Sequence, residues 1–306
     1  MKISVCICTF RRPVLLASLL DTIGKQQLGH LTTDVELIVV DNDPDHSARP
    51  VLEKWRGPTG FSLLFLHEPV PNISIARNTA VQRTSGEWIA FIDDDELPQS
   101  DWLMQLVETQ RRFHADAVFG PVIPLYHPQT ANWIRQGGFF DRARFVTGTL
   151  INERNARTSN ALVRAESLMS IVGPFDISFG RTGGEDSLLF RDLQAKGCHF
   201  VWCDEASVSE FVPAERTNLM WLLRRSFRIG QTWIRAELYR LPMQDRVIRG
   251  SYLCVRAGMQ LLVSLTCALF WLPVSRTRAV HWMRTSVTQV GKLTGLTNFQ
   301  YKAYGA

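Results

Sequence analysis

Short apolar runs that end in polar or acidic residues recur along the first 210 positions. Ile3 to Thr9, Val35 to Val40, Phe61 to Leu66 and Trp88 to Ile92 are nearly continuous in Val, Ile, Leu, Phe, Trp and Cys. Runs of this length and composition read as strands of a parallel sheet, buried on both faces. The segments between them carry helix signals. Pro13 stands as the first residue of a helix running to about Gln27, since its missing N–H is an orphan there in any case. Ser47 to Arg56 reads as helical, and Asn72 or Ser74 caps a helix through Val81 before Gly86 breaks the chain. Ser100 is placed as the cap of a helix from Asp101 to His114. This alternation predicts an α/β fold: a mostly parallel central sheet, helices on both faces and right-handed crossovers.

In open sheets of this kind ligands gather beyond the carboxyl ends of the strands. The Trp88 strand ends there in four consecutive acids, Asp93-Asp94-Asp95-Glu96. Like charges held close raise one another's pKa, so such a run is tolerable with full hydration or with a cation. Extended backbone projects Asp93 and Asp95 to one side and Asp94 to the other. Hard carboxylate oxygens suit Mg2+ or Mn2+, an ion that completes its shell with water and phosphate. The plain alternative is a solvated acidic loop.

Thr9 with Arg11, Asp41, and Arg77 with Asn78 fall at other strand ends, where they can bond a base, a ribose and a diphosphate laid across the sheet edge. Each also has a purely structural reading. Thr9 ends a strand, Arg77 pairs with Glu68, and Asp41 caps the next helix. Asp41-Asn42-Asp43-Pro44-Asp45 opens like a calcium loop, but His46 and Leu52 stand where Gly and Glu are required. No GxGxxG follows the first strand, which removes the phosphate turn of a dinucleotide site.

Further on, Gly183-Gly184-Glu185-Asp186 opens an amphipathic helix that ends near Lys196. Acids at a helix amino terminus are stabilised by the dipole, so capping alone explains the pair. The glycines add a second reading: backbone free to approach a ligand, delivering Asp186 as a general base beside Glu185.

Charge and composition change the picture mainly at the other end. The chain has 306 residues and a net charge of +5. Residues 1 to 210 hold 20 basic and 26 acidic side chains, against 14 and 3 in residues 211 to 306, so the two parts carry −6 and +11. A basic tail implies an anionic partner. Residues 257 to 275 contain no charge and lie between Arg256 and Arg276, which favours lipid over nucleic acid. A spanning helix needs roughly 20 apolar residues. Arginines on both sides deny this one an oriented span, so an interfacial or re-entrant helix is expected, with a buried core helix as the alternative. Six cysteines without CxxC spacing read as free thiols of a reducing compartment, and the amino terminus offers no export signal.

In order along the chain, Ile7-Cys8-Thr9-Phe10-Arg11, Val39-Val40-Asp41-Asn42, Ala76-Arg77-Asn78, Asp93-Asp94-Asp95 and Glu185-Asp186 resemble the inverting family 2 glycosyltransferases of GT-A fold. Asn72 to Asn78, Gly183 to Asp186 and Arg225-Ser226-Phe227-Arg228-Ile229-Gly230-Gln231-Thr232 are most similar to bacterial succinoglycan-type exopolysaccharide glucosyltransferases. The resemblance implies a catalytic domain over residues 1–215 and a helical, membrane-associating region over 216–306. It further implies a UDP-sugar donor, with Thr9, Arg11, Asp41, Arg77, Asp93 and Asp94 on the nucleotide, Asp95 on the metal and Asp186 as base with Glu185 beside it; Arg224, Arg225 and Arg228, on part of one helical face, add charge near the diphosphate or else face headgroups. The implied reaction moves a hexose, glucose in first preference, with inversion. The implied acceptor is a polyprenyl-diphosphate-linked oligosaccharide on the cytoplasmic side of the bacterial inner membrane. Many relatives carry a metal-binding histidine where Ser209 stands, in what reads here as a loop, with Glu210 or water as the replacement. A nucleotidyltransferase would need a glycine-rich loop after the first strand. A non-catalytic scaffold would not need Asp93, Asp95 and Asp186.

Overall fold

The computed structural model of the chain describes residues 1–29 and 34–297. Strand and helix alternate through β1 (Lys2–Thr9), α1 (Pro13–Ile23), β2 (Asp34–Asp41), α2 (Arg49–Lys54), β3 (Phe61–His67), α3 (Ile73–Gln82) and β4 (Trp88–Phe91). Then come β5 (Glu96–Pro98), α4 (Trp102–Phe113), β6 (Ala117–Phe119), β7 (Val122–Tyr126), α5 (Asn132–Arg135), β8 (Ala161–Arg164) and α6 (Ala165–Met169). They are followed by α7 (Glu185–Ala195), β9 (Phe200–Trp202) and β10 (Val208–Val212). Three long helices close the described chain: α8 (Leu219–Leu238), α9 (Met243–Trp271) and α10 (Arg276–Thr294).

The main sheet has the order β3-β2-β1-β4-β8-β6-β9. Its strands are parallel except β8, which runs against both β4 and β6. Side-chain alternation explains why the strands read as unbroken apolar runs. Ile3, Val5, Ile7, Val35, Leu37 and Val39 pack with Leu16 and Leu20 of α1 and Leu103 and Leu106 of α4. Cys6, Ile38 and Val40 point the other way, onto Ala76 and Ala80 of α3 and Leu189 and Phe190 of α7. Each such Val, Leu or Ile adds about 1.5–3 kcal/mol relative to exposure, so both faces hold the sheet. The cysteines of the described residues are free.

Several local expectations are corrected. Helix α1 stops at Ile23, at Gly24, rather than near Gln27. Ser100 caps nothing: Asp101 holds the N-cap position of α4 without a side-chain cap bond, and the Ser100 carbonyl accepts from Gln27 N–H at 2.6 Å. Asn72 does cap α3, its Oδ1 accepting from the N–H groups of Ser74 and Ile75 at 3.0 and 3.2 Å. Ser209 lies on a strand and not in a loop, because β10 pairs with β5 and β7 in a second, three-stranded sheet.

The last three helices join the sheet domain closely. Helix α10 packs against both α8 and α9. A Cβ on Gly230 would lie 2.1 Å from the Thr288 carbonyl oxygen and one on Gly291 2.1 Å from that of Phe227, so α8 and α10 meet backbone to backbone. Helix α8 also presses on the loop before α7. The Thr232 hydroxyl donates to the Thr182 carbonyl at 3.1 Å, and a Cβ on Gly184 would meet Thr232 Cγ2 at 2.5 Å.

Candidate active site

Two adjoining cavities open where the polar strand ends of β1 and β4 face α8. The first, about 640 Å³, is lined by Thr9, Arg12, Asn42, Asp93, Asp94 and Asp95 among others, and by Arg224, Arg225 and Arg228 of α8. The second, about 540 Å³, holds Gly183, Gly184, Glu185 and Asp186. Arg77, Asp93, Arg142, Arg225 and Arg228 border both, so the cavities share a wall.

The acidic run is held in a network of cations and hydroxyls. Thr9 Oγ1 donates to Asp94 Oδ2 at 2.7 Å. Arg12 Nη1 reaches Asp94 Oδ1 at 3.0 Å and Asp95 Oδ2 at 2.9 Å. Burial, opposed by Arg12, pushes the Asp94 carboxyl up to about 6. Burial also raises Asp93, with Arg77 working against it and Asp95 with it. Glu96 accepts the Asp93 N–H at 2.9 Å through Oε2, while its buried Oε1 has no partner. Burial and the adjacent Asp93 push this carboxyl well up, toward the neutral form.

Arg77 joins the two acidic clusters. Its Nη1 donates to Glu185 Oε1 at 2.6 Å and its Nη2 to Asp93 Oδ1 at 3.3 Å, and the guanidinium lies over the Phe175 ring. It does not pair with Glu68. Burial, partly offset by Arg77, pushes the Glu185 carboxyl to about 7, and its buried Oε2 is unpartnered. Next to it Asp186 Oδ1 accepts from Ser187 N–H at 2.7 Å. The positive φ of Gly183 (85°) and Gly184 (101°) turns the chain into α7 and brings this pair to the cavity edge, a conformation other residues adopt only with strain.

Two sequence candidates lie off the cavity walls. Asp41 is fully buried, and its carboxylate accepts the N–H groups of Asp43 (3.1 Å) and Ala48 (2.8 Å), which fixes the β2–α2 loop. Arg11, at φ 55°, is half-exposed and pairs with Asp43 and Asp45 at 3.1 and 3.3 Å. Its neighbour Arg12, absent from the sequence expectation, is the arginine that meets the acids. Arg142, which borders both cavities and donates to Ser159 and Glu210, had no sequence signal, because it comes from an irregular stretch that tertiary packing brings in. Glu210, not Ser209, borders the first cavity, with its carboxylate oxygens 3.0 Å from Arg142 and 3.5 Å from Arg216.

Asp93 and Asp95 offer hard oxygens to a divalent ion. Among the described residues, however, no group of three or more His, Cys, Asp or Glu is arranged to hold a metal alone. The residues therefore fit an ion such as Mg2+ or Mn2+ held by one or two carboxylates, with water and a phosphate-bearing ligand supplying the remaining oxygens. Opposite the acids, Arg225 is stacked on Phe140 and Trp221 and has no carboxylate within 4.0 Å among the described residues. Burial, reinforced by Arg142, brings its pKa down to about 10. A desolvated cation of this kind is ready for an anionic group.

Residues 4–172 match the family model described as glycosyl transferase family 2. Along its whole length the chain is 34% identical to the succinoglycan biosynthesis protein ExoM of Rhizobium meliloti (strain 1021), covering 96% of that protein. Over 122 residues, 39% of this chain and 37% of the relative, it is 30% identical to the GalNAc(5)-diNAcBac-PP-undecaprenol beta-1,3-glucosyltransferase of Campylobacter jejuni. Among solved structures, the mannosyltransferase PcManGT from Pyrobaculum calidifontis in complex with GDP-Man and Mn2+ is similar at a TM-score of 0.63 and 18% identity, over 96% of this chain and 86% of that one. S. aureus TarS 1-349 in complex with UDP-GlcNAc gives a TM-score of 0.56 at 15% identity, over 96% and 91%. At these identities the structural likeness speaks for the fold.

Proposed function

Because this chain belongs to glycosyltransferase family 2 and has the GT-A fold, we propose that it is an inverting hexosyltransferase acting on a UDP-sugar, UDP-glucose in first preference. The acceptor is a polyprenyl-diphosphate-linked oligosaccharide in surface polysaccharide synthesis. The observation that carries this reading is the shared wall: an acid- and arginine-lined cavity meets, through Arg77, Asp93 and Arg142, a second cavity lined by Asp186, a carboxylate with no ion-pair partner within 4.0 Å among the described residues.

In this reading the nucleotide lies along Thr9, Asn42, Asp93 and Asp94, and Asp41 and Arg11 shape the loop beneath it. Arg225 and Arg228 neutralise the diphosphate. Asp95, with Asp93 beside it, would hold Mg2+ or Mn2+, which when bound neutralises charge on the departing diphosphate. Asp186 takes the proton from the acceptor hydroxyl as its oxygen attacks the anomeric carbon. The bond from that carbon to the β-phosphate oxygen breaks, and UDP leaves with the electron pair. UDP release, measured with a panel of UDP-sugars, Mn2+ and lipid extracted from the native host, tests the assignment. Release from one donor that depends on the extract is expected; no release from any UDP-sugar rejects it.

Since no three His, Cys, Asp or Glu side chains converge to hold a metal among the described residues, metal affinity should depend on the nucleotide. Titration of Mn2+ is expected to give binding at least about tenfold tighter with UDP present than without it, and EDTA should abolish transfer. Equal Mn2+ affinity in both titrations contradicts the ligand set.

Helix α9 is the one described helix long and apolar enough to cross a membrane. Its buried stripe is Gly250, Leu253, Ala257, Ser264 and Ala268, while Val255, Met259, Leu262, Val263, Leu269 and Phe270 are exposed. The helix is about 43 Å long at 1.5 Å per residue, and arginine-bearing α10, itself packed on α8, lies against it. This arrangement favours an in-plane position with arginines toward anionic headgroups, and use of a UDP-sugar puts the proposed position on the cytoplasmic face. Leu262→Glu with Leu269→Glu is expected to weaken binding to anionic liposomes at least about tenfold, at about 0.8 kcal/mol per buried CH2. Undiminished flotation of this variant, or retention of the parent in membranes after carbonate washing, overturns the interfacial position.

A further inference from the structure

The second cavity carries more positive charge than the proposed reaction uses. Six arginines line it. Arg77 is matched by Glu185 and Asp93, Arg142 is matched by Glu210, and Arg225 and Arg228 also face the first cavity. Arg154 and Arg157 remain, and of the two cavities they line only the second. Arg154 is exposed and sits 3.6 Å from Glu153. Arg157 is half-buried, and among the described residues no carboxylate lies within 4.0 Å of it; its guanidinium donates to the Ala156 carbonyl at 2.5 Å.

This is not a loose surface arginine. Ala156 and Thr158, on either side of Arg157, are buried, so the segment is anchored and the side chain starts from a fixed position. A partly desolvated cation whose hydrogen bond goes to a neutral carbonyl, with no carboxylate within 4.0 Å among the described residues, is poorly compensated until an anion arrives. The planar guanidinium suits a two-oxygen group, carboxylate or phosphate. The same cavity is lined by Asn155, Thr158 and Ser159 as hydrogen-bonding groups and by the edge of Trp233, whose ring has Lys292 Nζ 4.6 Å from its centroid. Polar groups beside an aromatic side chain are what a sugar ring requires.

We propose that the acceptor is an anionic saccharide, whose negative group, close to the attacking hydroxyl, is gripped by Arg157 with Arg154 at the rim. This rests on the reading of Asp186 as the base that meets the acceptor. The shared chemistry is a two-oxygen anion within about one or two sugar units of the reacting hydroxyl. Its source is either the carrier diphosphate or a carboxylate borne by a sugar.

The test uses the full chain with UDP and measures binding of three probes by calorimetry: octyl glucoside, octyl glucuronide and a glucosyl octyl diphosphate. At least one anionic probe is expected to bind at least tenfold more tightly than the neutral one. Arg157→Gln should remove that preference, and Arg154→Gln should reduce it severalfold, with UDP affinity unchanged in both. The tighter anionic probe identifies the source. Equal binding of neutral and anionic probes, binding of none of them, or a preference that survives Arg157→Gln overturns the proposal. UDP affinity from the same titrations reports separately on the donor reading, since a chain that binds no UDP fails that reading first.

Discussion

Asp186→Asn is expected to lower kcat by about 10²- to 10⁴-fold while leaving UDP affinity within about twofold. The substitution keeps the shape of the side chain and an oxygen for the Ser187 N–H, which Asp186 Oδ1 accepts at 2.7 Å. It removes the second carboxylate oxygen, which makes no hydrogen bond among the described residues and is the atom free to take a proton. Loss of a general base affects the transition state and not the nucleotide, so the change falls on kcat, equivalent to about 3–5 kcal/mol of barrier. Single-turnover kinetics with labelled donor check it. A variant that turns over like the parent removes Asp186 from the chemistry.

Arg77→Ala is expected to destabilise the fold by about 3–5 kcal/mol, because it strands the Glu185 and Asp93 carboxyls around a hole in the protein. The guanidinium is nine-tenths buried and makes the link between them. The loss should grow with pH. Glu185 is pushed up to about 7, mainly by burial, from an ordinary value near 4.5. A raised acid stabilises the fold fully below its unfolded pKa and loses that contribution as pH climbs through the folded value. Near pH 5 Glu185 is neutral with or without Arg77, whereas at pH 8 the parent pairs an ionised carboxylate and the variant cannot. The gap in thermal midpoint between parent and variant should therefore widen from pH 5 to pH 8. A gap that is constant or narrows with pH contradicts the pairing, and Arg77→Lys should recover part of it.

The sheet was legible because strands buried on both faces leave an uninterrupted apolar signature, and a short polar side chain such as Asn72 ahead of an amphipathic run marks a helix start. Ser100 misled for the complementary reason: a good capping residue is also a good loop residue, and here its carbonyl was committed to Gln27. The adjacent arginines show the limit of local reading. Sequence singles out Arg11, yet its left-handed backbone turns it to Asp43 and Asp45 and leaves Arg12 on Asp94 and Asp95. Asp41 read locally as the cap of the next helix and, through the resemblance, as a nucleotide contact; its carboxylate takes the N–H groups of Asp43 and Ala48, while Ala48 itself holds the N-cap position of α2. Arg142, Arg154 and Arg157 come from a stretch without periodicity, so only tertiary packing reveals that they reach the cavities. The division expected at residue 215 falls just before α8, which lines both cavities and presses on Thr182 and Gly184.

Calorimetric titration of UDP, with Mn2+, into the full chain and its Arg225→Ala and Asp186→Asn variants separates the donor half of the site from the acceptor half. One UDP per chain is expected, weakened at least about tenfold by Arg225→Ala, in line with the loss of a charge-assisted contact of about 1.5–3 kcal/mol, and unaltered by Asp186→Asn. Absence of UDP binding to the parent, or equal affinity in the Arg225 variant, contradicts the account.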